Sequence, residues 1–275
     1  MSTLFVSDLD GTLLRSDQTL SPFTVKAINH LTERGIHFSY ATGRSLITAE
    51  KVTCGIDRKI PRIVYNGAFI MEADGKILHS NFFSNDGCGI LTDLLKGGIF
   101  PIVYAFIDGC ERFTFVERKS IGAMKEFNDS RKGDIRLRTA KNEDALYDGR
   151  MFYFTCISDR ETLTPYYLKY KDHYHTVFHK EMYTKAWWLE ILPKSASKAN
   201  AAIALKNMLG LSRIVAFGDA ANDKDLFEIA DERYAVENAS EEIKRMATTV
   251  IEKNDEDGVA KYLLSRFPPE TMWNF

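Results

Sequence analysis

Charge excess, clustered cysteine and long apolar runs are all missing from this 275-residue sequence. Its 36 basic and 38 acidic residues leave a formal charge of −2. This near-neutral balance gives no reason to expect non-specific binding to nucleic acid or to an anionic membrane. The four cysteines, Cys54, Cys88, Cys110 and Cys156, never fall in a Cys-x-x-Cys spacing. That argues against a disulfide framework or a zinc site and makes the reducing cytoplasm the expected compartment. The longest apolar run, near IFPIVYAFI, is well short of the roughly 20 residues that span a bilayer. The opening MSTLFVSDLDGTLL lacks a basic stretch, and two aspartates interrupt its apolar residues, so it does not read as a secretory leader. No tract is of low complexity and no internal repeat is visible. No obligate protein partner is indicated.

What is present is a globular composition, 45% apolar and 27% charged. At about 150 residues per domain, the length suits one large or two modest domains, either able to bury a full core. TLFVSD reads as a strand. SPFTVKAINHLTERG reads as a helix, with Ser21 as its cap, Pro22 at its first position and Gly35 ending it. IHFSYAT is a second strand, followed by a helix over Ser45–Val52, and RIVYNGAFI a third strand-like run. MEADGKILHS reads as a hairpin turning at Asp74-Gly75. This alternation predicts a parallel sheet with crossover helices. The middle is richer in strands: IVYAFI, RFTFVE, RMFYFTCIS, YHTVFHK and AWWLEIL, with helices near 86–96 and Tyr166–Lys171. Alternation then returns from SKANAAIALKNMLG to the final GVAKYLLSRF. The expectation is an α/β domain over 1–82 and 191–275, interrupted by an inserted α+β domain over 83–190.

In an open parallel sheet, ligands bind beyond the carboxyl ends of the strands. The first strand ends in Asp8-Leu9-Asp10-Gly11-Thr12, and the strand period of two puts Asp8 and Asp10 on one side. RIVAFGD ends at Asp219, and the next helix opens with Asn222-Asp223. If those strands are neighbours, Asp8, Asp10, Asp219 and Asp223 converge on one cleft. Several carboxylates around water suit Mg²⁺, a hard cation that takes oxygen ligands. Thr42 and Gly43, at the end of the second strand, offer a hydroxyl and backbone amides to an anion. Lys198, at the start of a helix, adds a positive charge. A carboxylate nucleophile, a second carboxylate, Mg²⁺, a hydroxyl and a lysine together suit phosphoryl transfer.

These residues carry a resemblance. The sequence resembles the haloacid dehalogenase superfamily of phosphohydrolases, in its Cof-like branch with a type IIB cap. The first motif matches at Asp8–Thr12, the second at Thr42 in ATGR, the third at Lys198 in SASKANAAIAL, and the fourth at Gly218–Asp223. Asn66-Gly67-Ala68, Leu189-Glu190-Ile191 and Asp257-Gly258-Val259-Ala260 also fall where the branch has NGA, LEI and DGVA. Ala220 and Ala199 stand where the branch has other small residues. The resemblance implies a Rossmann-like core with an inserted cap. It implies that Asp8 attacks phosphorus, and that Asp10 protonates the leaving alcohol and then activates water. It further implies that Asp8, the Asp10 carbonyl and Asp219 bind Mg²⁺, with Asp223 orienting the metal's waters. Thr42 and Lys198 would hold the phosphoryl oxygens, supported by Asn222 and by Leu9, Thr12 and Gly43 of the same loops. The implied substrate is a small phosphorylated metabolite, a sugar phosphate by preference.

Other readings stay open on the residues alone. A signalling module that accepts phosphate, a non-catalytic binding protein and a phosphomutase use overlapping parts. Arg44 either contacts substrate or merely starts a helix. His173, His175 and His179 share strand parity, and a half-exposed strand face is the expected reading. Trp187 and Trp188 point to opposite faces of one strand.

Overall fold

The computed structural model describes residues 2–57, 59–180 and 186–268. In chain order the elements begin with β1 (Thr3–Ser7), α1 (Pro22–Glu33), β2 (His37–Ala41), α2 (Leu46–Val52), β3 (Arg62–Val64), β4 (Phe69–Met71) and β5 (Ile77–Ser80). The middle holds α3 (Asp86–Lys96), β6 (Ile102–Ile107), β7 (Cys110–Val116), α4 (Gly122–Ser130), β8 (Leu137–Ala140), β9 (Arg150–Ser158), α5 (Arg160–Tyr170), β10 (His175–Lys180) and β11 (Trp187–Leu192). The last part adds α6 (Lys198–Met208), β12 (Arg213–Gly218), α7 (Lys224–Ile229), β13 (Glu232–Val236), α8 (Glu241–Met246), β14 (Thr249–Ile251) and α9 (Gly258–Arg266). Two compact units result: one from both ends of the chain (Met1–Ser80 with Ala196–Phe275), the other from its middle (Asn81–Ser195).

The first unit is an eight-stranded sheet in the order β14-β13-β12-β1-β2-β3-β4-β5. It is parallel from β14 to β3, while β4 and β5 run antiparallel. All five residues of β1 are buried, as a central strand covered on both faces requires. α1 buries Thr24, Ala27, Ile28 and Leu31, a three-to-four spacing, and the Ser21 hydroxyl accepts from the Thr24 N–H at its start. The chain runs outward on one side from β1 to β2 and β3, and on the other from β12 to β13 and β14. The reversal therefore lies between β1 and β12, and it opens a crevice at their carboxyl ends.

One local expectation fails here. RIVYNGAFI is two strands, not one. The turn Tyr65–Gly67 separates β3 from β4, and they pair antiparallel with Ile63 opposite Ile70. Tyr65, Asn66 and Gly67 all have positive φ, at 52°, 50° and 93°. Two non-glycine residues in the left-handed region are rare, so apolar content alone reads straight through the turn.

The second unit is a six-stranded sheet in the order β10-β11-β9-β6-β7-β8, antiparallel except for the β7–β8 pair. Ile90, Leu91 and Leu94 of α3 and Leu163 of α5 pack on one face, with Val103, Phe154 and Leu189. Met124 of α4 packs with Ile102, Phe113 and Phe115. α5 begins six residues before the predicted Tyr166, because the Asp159 carboxylate caps it by accepting from the Thr162 N–H at 2.8 Å. His173 precedes β10 rather than lying in it. Trp187 packs against Phe178 and beneath Arg160, while Trp188 stands edge-on to Phe127.

Candidate active site

Ser7 lies opposite Phe217, and the Asp8 N–H donates to the Phe217 carbonyl at 3.0 Å. The two strands thus deliver Asp8 and Asp219 to the same edge. A ligand oxygen from each of Asp8, Asp219 and Asp223 lies within 4.8 Å of the others, the one such metal-sized group among the described residues. Residues more than two hundred positions apart in sequence meet because β1 and β12 are hydrogen-bonded neighbours.

The turns around this trio are shaped to hold it. Gly11 has φ 80°, and a Cβ there would lie 2.5 Å from Asp219 Oδ2. Only glycine satisfies both conditions. The Thr12 hydroxyl donates to Asp219 Oδ1 at 2.8 Å and fixes the carboxylate plane. Asp223 Oδ2 accepts from the Asp219 and Ala220 N–H groups at 3.0 and 3.2 Å, while Oδ1 accepts from Lys198 at 2.7 Å. Asp223 therefore builds the loop as well as completing the trio. Gly218 lies close beneath it, since a Cβ there would meet Asp223 at 2.7 Å. Ser197 caps α6 by accepting from the Asn200 N–H, and this places Lys198 in its first turn. The Lys198 ammonium donates to Asp8 Oδ1 at 2.5 Å with its side chain 1% exposed.

Thr42 follows β2 and is fully buried. Its N–H donates to the Ile63 carbonyl, and its hydroxyl accepts from the Arg44 N–H at 3.1 Å. Gly43 sits between them, against the Asn66 amide. Asn222 is half-buried in the turn Ala221–Asp223. Leu9 sends its side chain into the hydrophobic core, leaving only its backbone to any ligand.

Asp10 departs from the expected convergence. β1 stops at Ser7, and the chain enters a tight loop closed by the Leu14 N–H donating to the Leu9 carbonyl at 2.8 Å. Strand alternation no longer governs Asp10, and its carboxylate turns to Arg44 instead of joining the trio. Arg44 Nε and Nη2 bind it at 2.8 and 2.6 Å. Residues outside the predicted set support the same loop. The Asn238 amide donates to the Gly11 carbonyl at 2.7 Å, and the Asn254 amide to the Leu14 carbonyl at 2.9 Å. Asn238 follows the carboxyl end of β13, so the strand-end rule that found Asp219 could have found it too.

Three carboxylates face one ammonium. Burial pushes the Asp8 carboxyl well above its ordinary range, and Asp223 and Asp219 add to this against the opposing pull of Lys198. Burial, then Asp223, raises Asp219 to about 6. Burial alone would lower Lys198, but Asp223 and Asp8 outweigh it and push the ammonium up. Like charges crowded together in a low dielectric call for a cation. The donor set, all oxygen and strongly anionic, fits a hard divalent ion.

The pattern of haloacid dehalogenase-like hydrolases matches residues 5–263. The chain belongs to that family. It is a hydrolase of the phosphatase type, and members of this family generally use a metal ion. Two Bacillus subtilis relatives are named 5-amino-6-(5-phospho-D-ribitylamino)uracil phosphatase. One is 27% identical over 93% of this chain and 95% of its own, the other 26% over 96% and 97%. A solved Thermotoga maritima protein is 26% identical, covers 98% of this chain and 99% of its own, and superposes with a TM-score of 0.76. A solved subclass IIB sugar phosphatase shares the fold at 18% identity and a TM-score of 0.72, over 96% of this chain and 98% of its own. Among the described residues no helix of this hydrolase is long and apolar enough to cross a membrane.

Proposed function

We propose that this hydrolase cleaves phosphomonoesters of small metabolites, sugar and polyol phosphates above all, through an aspartyl-phosphate on Asp8 and with Mg²⁺. The observation that carries this reading is the buried Asp8 carboxylate, held 2.5 Å from Lys198 and within 4.8 Å of Asp219 and Asp223. Mg²⁺, held by the Asp8 and Asp219 carboxylates and the Asp10 carbonyl with Asp223 behind them, would neutralise the phosphoryl charge.

The chain's own residues supply the remaining steps. Lys198 and the Thr42 hydroxyl bind phosphoryl oxygens. An Asp8 carboxylate oxygen forms a bond to phosphorus as the ester P–O bond breaks, and Asp10 gives its proton to the departing alkoxide. Water then attacks phosphorus and loses its proton to Asp10, which frees phosphate and restores Asp8. The ribityl phosphate named for two relatives is a polyol phosphate, and that supports the substrate class. Four free cysteines, three of them exposed, suit a reducing, cytoplasmic setting.

Phosphate release from a panel of sugar, polyol and nucleotide phosphates, with and without Mg²⁺, tests the proposal. Wild type should release phosphate only with the metal. Asp8→Asn should be inactive yet keep its circular dichroism. Wild-type turnover by Asp8→Asn, or a phosphorylated protein stable for many minutes, would overturn the mechanism.

A further inference from the structure

The mechanism above uses Asp10 but not the group that holds it. Asp10 is half-exposed, its side chain 49% accessible, at a loop where an unrestrained carboxylate would sample several rotamers. Arg44 removes that freedom. Nε donates at 3.2 and 2.8 Å to the two carboxylate oxygens, and Nη2 donates at 2.6 Å. A planar fork of this kind fixes the carboxylate's plane as well as its position.

Arg44 is itself braced. Its N–H donates to the Thr42 hydroxyl, and its carbonyl accepts from the Tyr65 N–H at 2.9 Å. Both ends of its peptide unit are thus tied to the loops around the phosphate-binding candidates. At the far end of the side chain, Nη2 also donates to Gln18 Oε1 at 3.0 Å. Gln18 has φ 65°, one of five described non-glycine residues in the left-handed region. Its N–H donates to the Arg15 carbonyl at 2.8 Å, and Arg15 is anchored on Asp257. A strained residue held by surrounding structure and aimed at a functional group is an observation from which a role can be inferred.

We propose that Arg44, braced by Gln18, is a positioning residue that sets the orientation of Asp10 for proton transfer to the leaving group. This rests on the reading of Asp10 as the acid/base. Arg44 acts through Asp10 and not on the phosphoryl group, so its removal harms the step that needs a proton and spares the step that does not.

The test compares kcat/KM for two esters. Glucose 6-phosphate expels an alkoxide and needs the proton; p-nitrophenyl phosphate expels a stable phenolate and hardly does. Arg44→Met should lower kcat/KM on glucose 6-phosphate on the order of tenfold to a hundredfold, and on p-nitrophenyl phosphate less than about threefold. Arg44→Lys keeps the charge without the fork and should recover little of the loss. Gln18→Ala should show the same selectivity with a smaller loss, about threefold. In an Asp10→Asn background, Arg44→Met should add nothing further on p-nitrophenyl phosphate. Thermal unfolding of each variant separates a folding defect from a kinetic one.

Equal losses on both esters, full rescue by Arg44→Lys, or an undiminished effect of Arg44→Met on top of Asp10→Asn would each overturn the positioning role alone. If Asp10→Asn itself shows no preference between the esters, the acid/base reading fails and this inference falls with it.

Discussion

The two units each contain a buried ionic cluster with more carboxylates than cations, yet the clusters behave oppositely. In the inserted unit Arg136, 6% exposed, faces Glu111 at 2.7 Å and Asp134 at 2.6 Å, and its guanidinium lies 5.7 Å from the Phe113 ring centre. Hydrogen bonds from Arg136 hold the Asp134 carboxyl below its ordinary range. In the core, Lys198 faces Asp8 and Asp223, and burial with mutual repulsion drives Asp8 and Asp219 upward. The Arg136 guanidinium forks onto both of its carboxylates, whereas the Lys198 ammonium hydrogen-bonds Asp8 and Asp223 while Asp219 takes the Thr12 hydroxyl. The first cluster is closed and structural. The second keeps a surplus of buried negative charge, which fits a cation.

The widest separation of the two clusters should come from Asp219→Asn. Asparagine keeps an acceptor for the Thr12 hydroxyl but removes one repelling charge. Metal-dependent turnover should fall by at least about a hundredfold, while the metal-free protein should gain about 1 kcal/mol, a rise of a few degrees in Tm. Wild type should also gain Tm on adding Mg²⁺, and the variant should gain little. Calorimetry with and without Mg²⁺ checks all three points. A variant that loses stability in the absence of metal would show the core cluster to be as closed as its counterpart.

Arg136→Met probes the other side. It leaves Glu111 and Asp134, with side chains 15% and 12% exposed, without this arginine. Breaking such a pair from one end should destabilise the inserted unit by about 2–4 kcal/mol. Urea unfolding, followed by amide exchange at β7 and β8, should locate the loss there. No change in the denaturation midpoint would mean that Arg136 is not what closes this cluster.

The same contrast decides what could be read from sequence. The open cluster is legible because Asp8, Thr42 and Asp219 sit at or just beyond strand ends and Lys198 starts a helix, in a fixed order. The rule that ligands gather where a parallel sheet reverses turns those positions into one site. The closed cluster was not legible. Arg136 and Glu111 lie 25 residues apart, and a turn and a helix between them leave no periodic signature. The Asp10–Arg44 fork was hidden for the same reason, its partners 34 residues apart on two loops. Local backbone defeated the reading in two other places. Left-handed Tyr65 and Asn66 divide a run that composition joins, and Pro165 lies inside α5, masking a helix that Asp159 starts earlier. α4 and β8 had no predicted counterpart. The alternation of strands and helices and the strand-end chemistry follow from pattern, whereas strand order, single long-range pairs and rare φ values do not.

A third ion cluster, at the edge of the core, gives the smallest and most pH-specific effect. Glu232 receives Arg266 and Arg213 Nη2, the latter at 2.9 Å, and Tyr234 donates its hydroxyl at 2.7 Å. A hydrogen bond from Arg266, opposed by burial and helped by one from Tyr234, brings Glu232 down to about 2 from 4.5. The folded pKa is the lower one, so the native state binds fewer protons than the unfolded chain in the window between them. The resulting stability is fully present above about 4.5 and is lost as pH falls toward about 2. Because solvent reaches this cluster, its contribution is closer to about 1 kcal/mol than the full shift would give. Glu232→Gln should therefore lower stability by about that amount at pH 7, and wild type and variant should converge as the pH drops from 4.5 toward 2. Chemical denaturation at a series of pH values measures the gap directly. A gap that stays constant down to pH 2 would mean that shape and packing at Glu232, not its charge, hold α9 against β13.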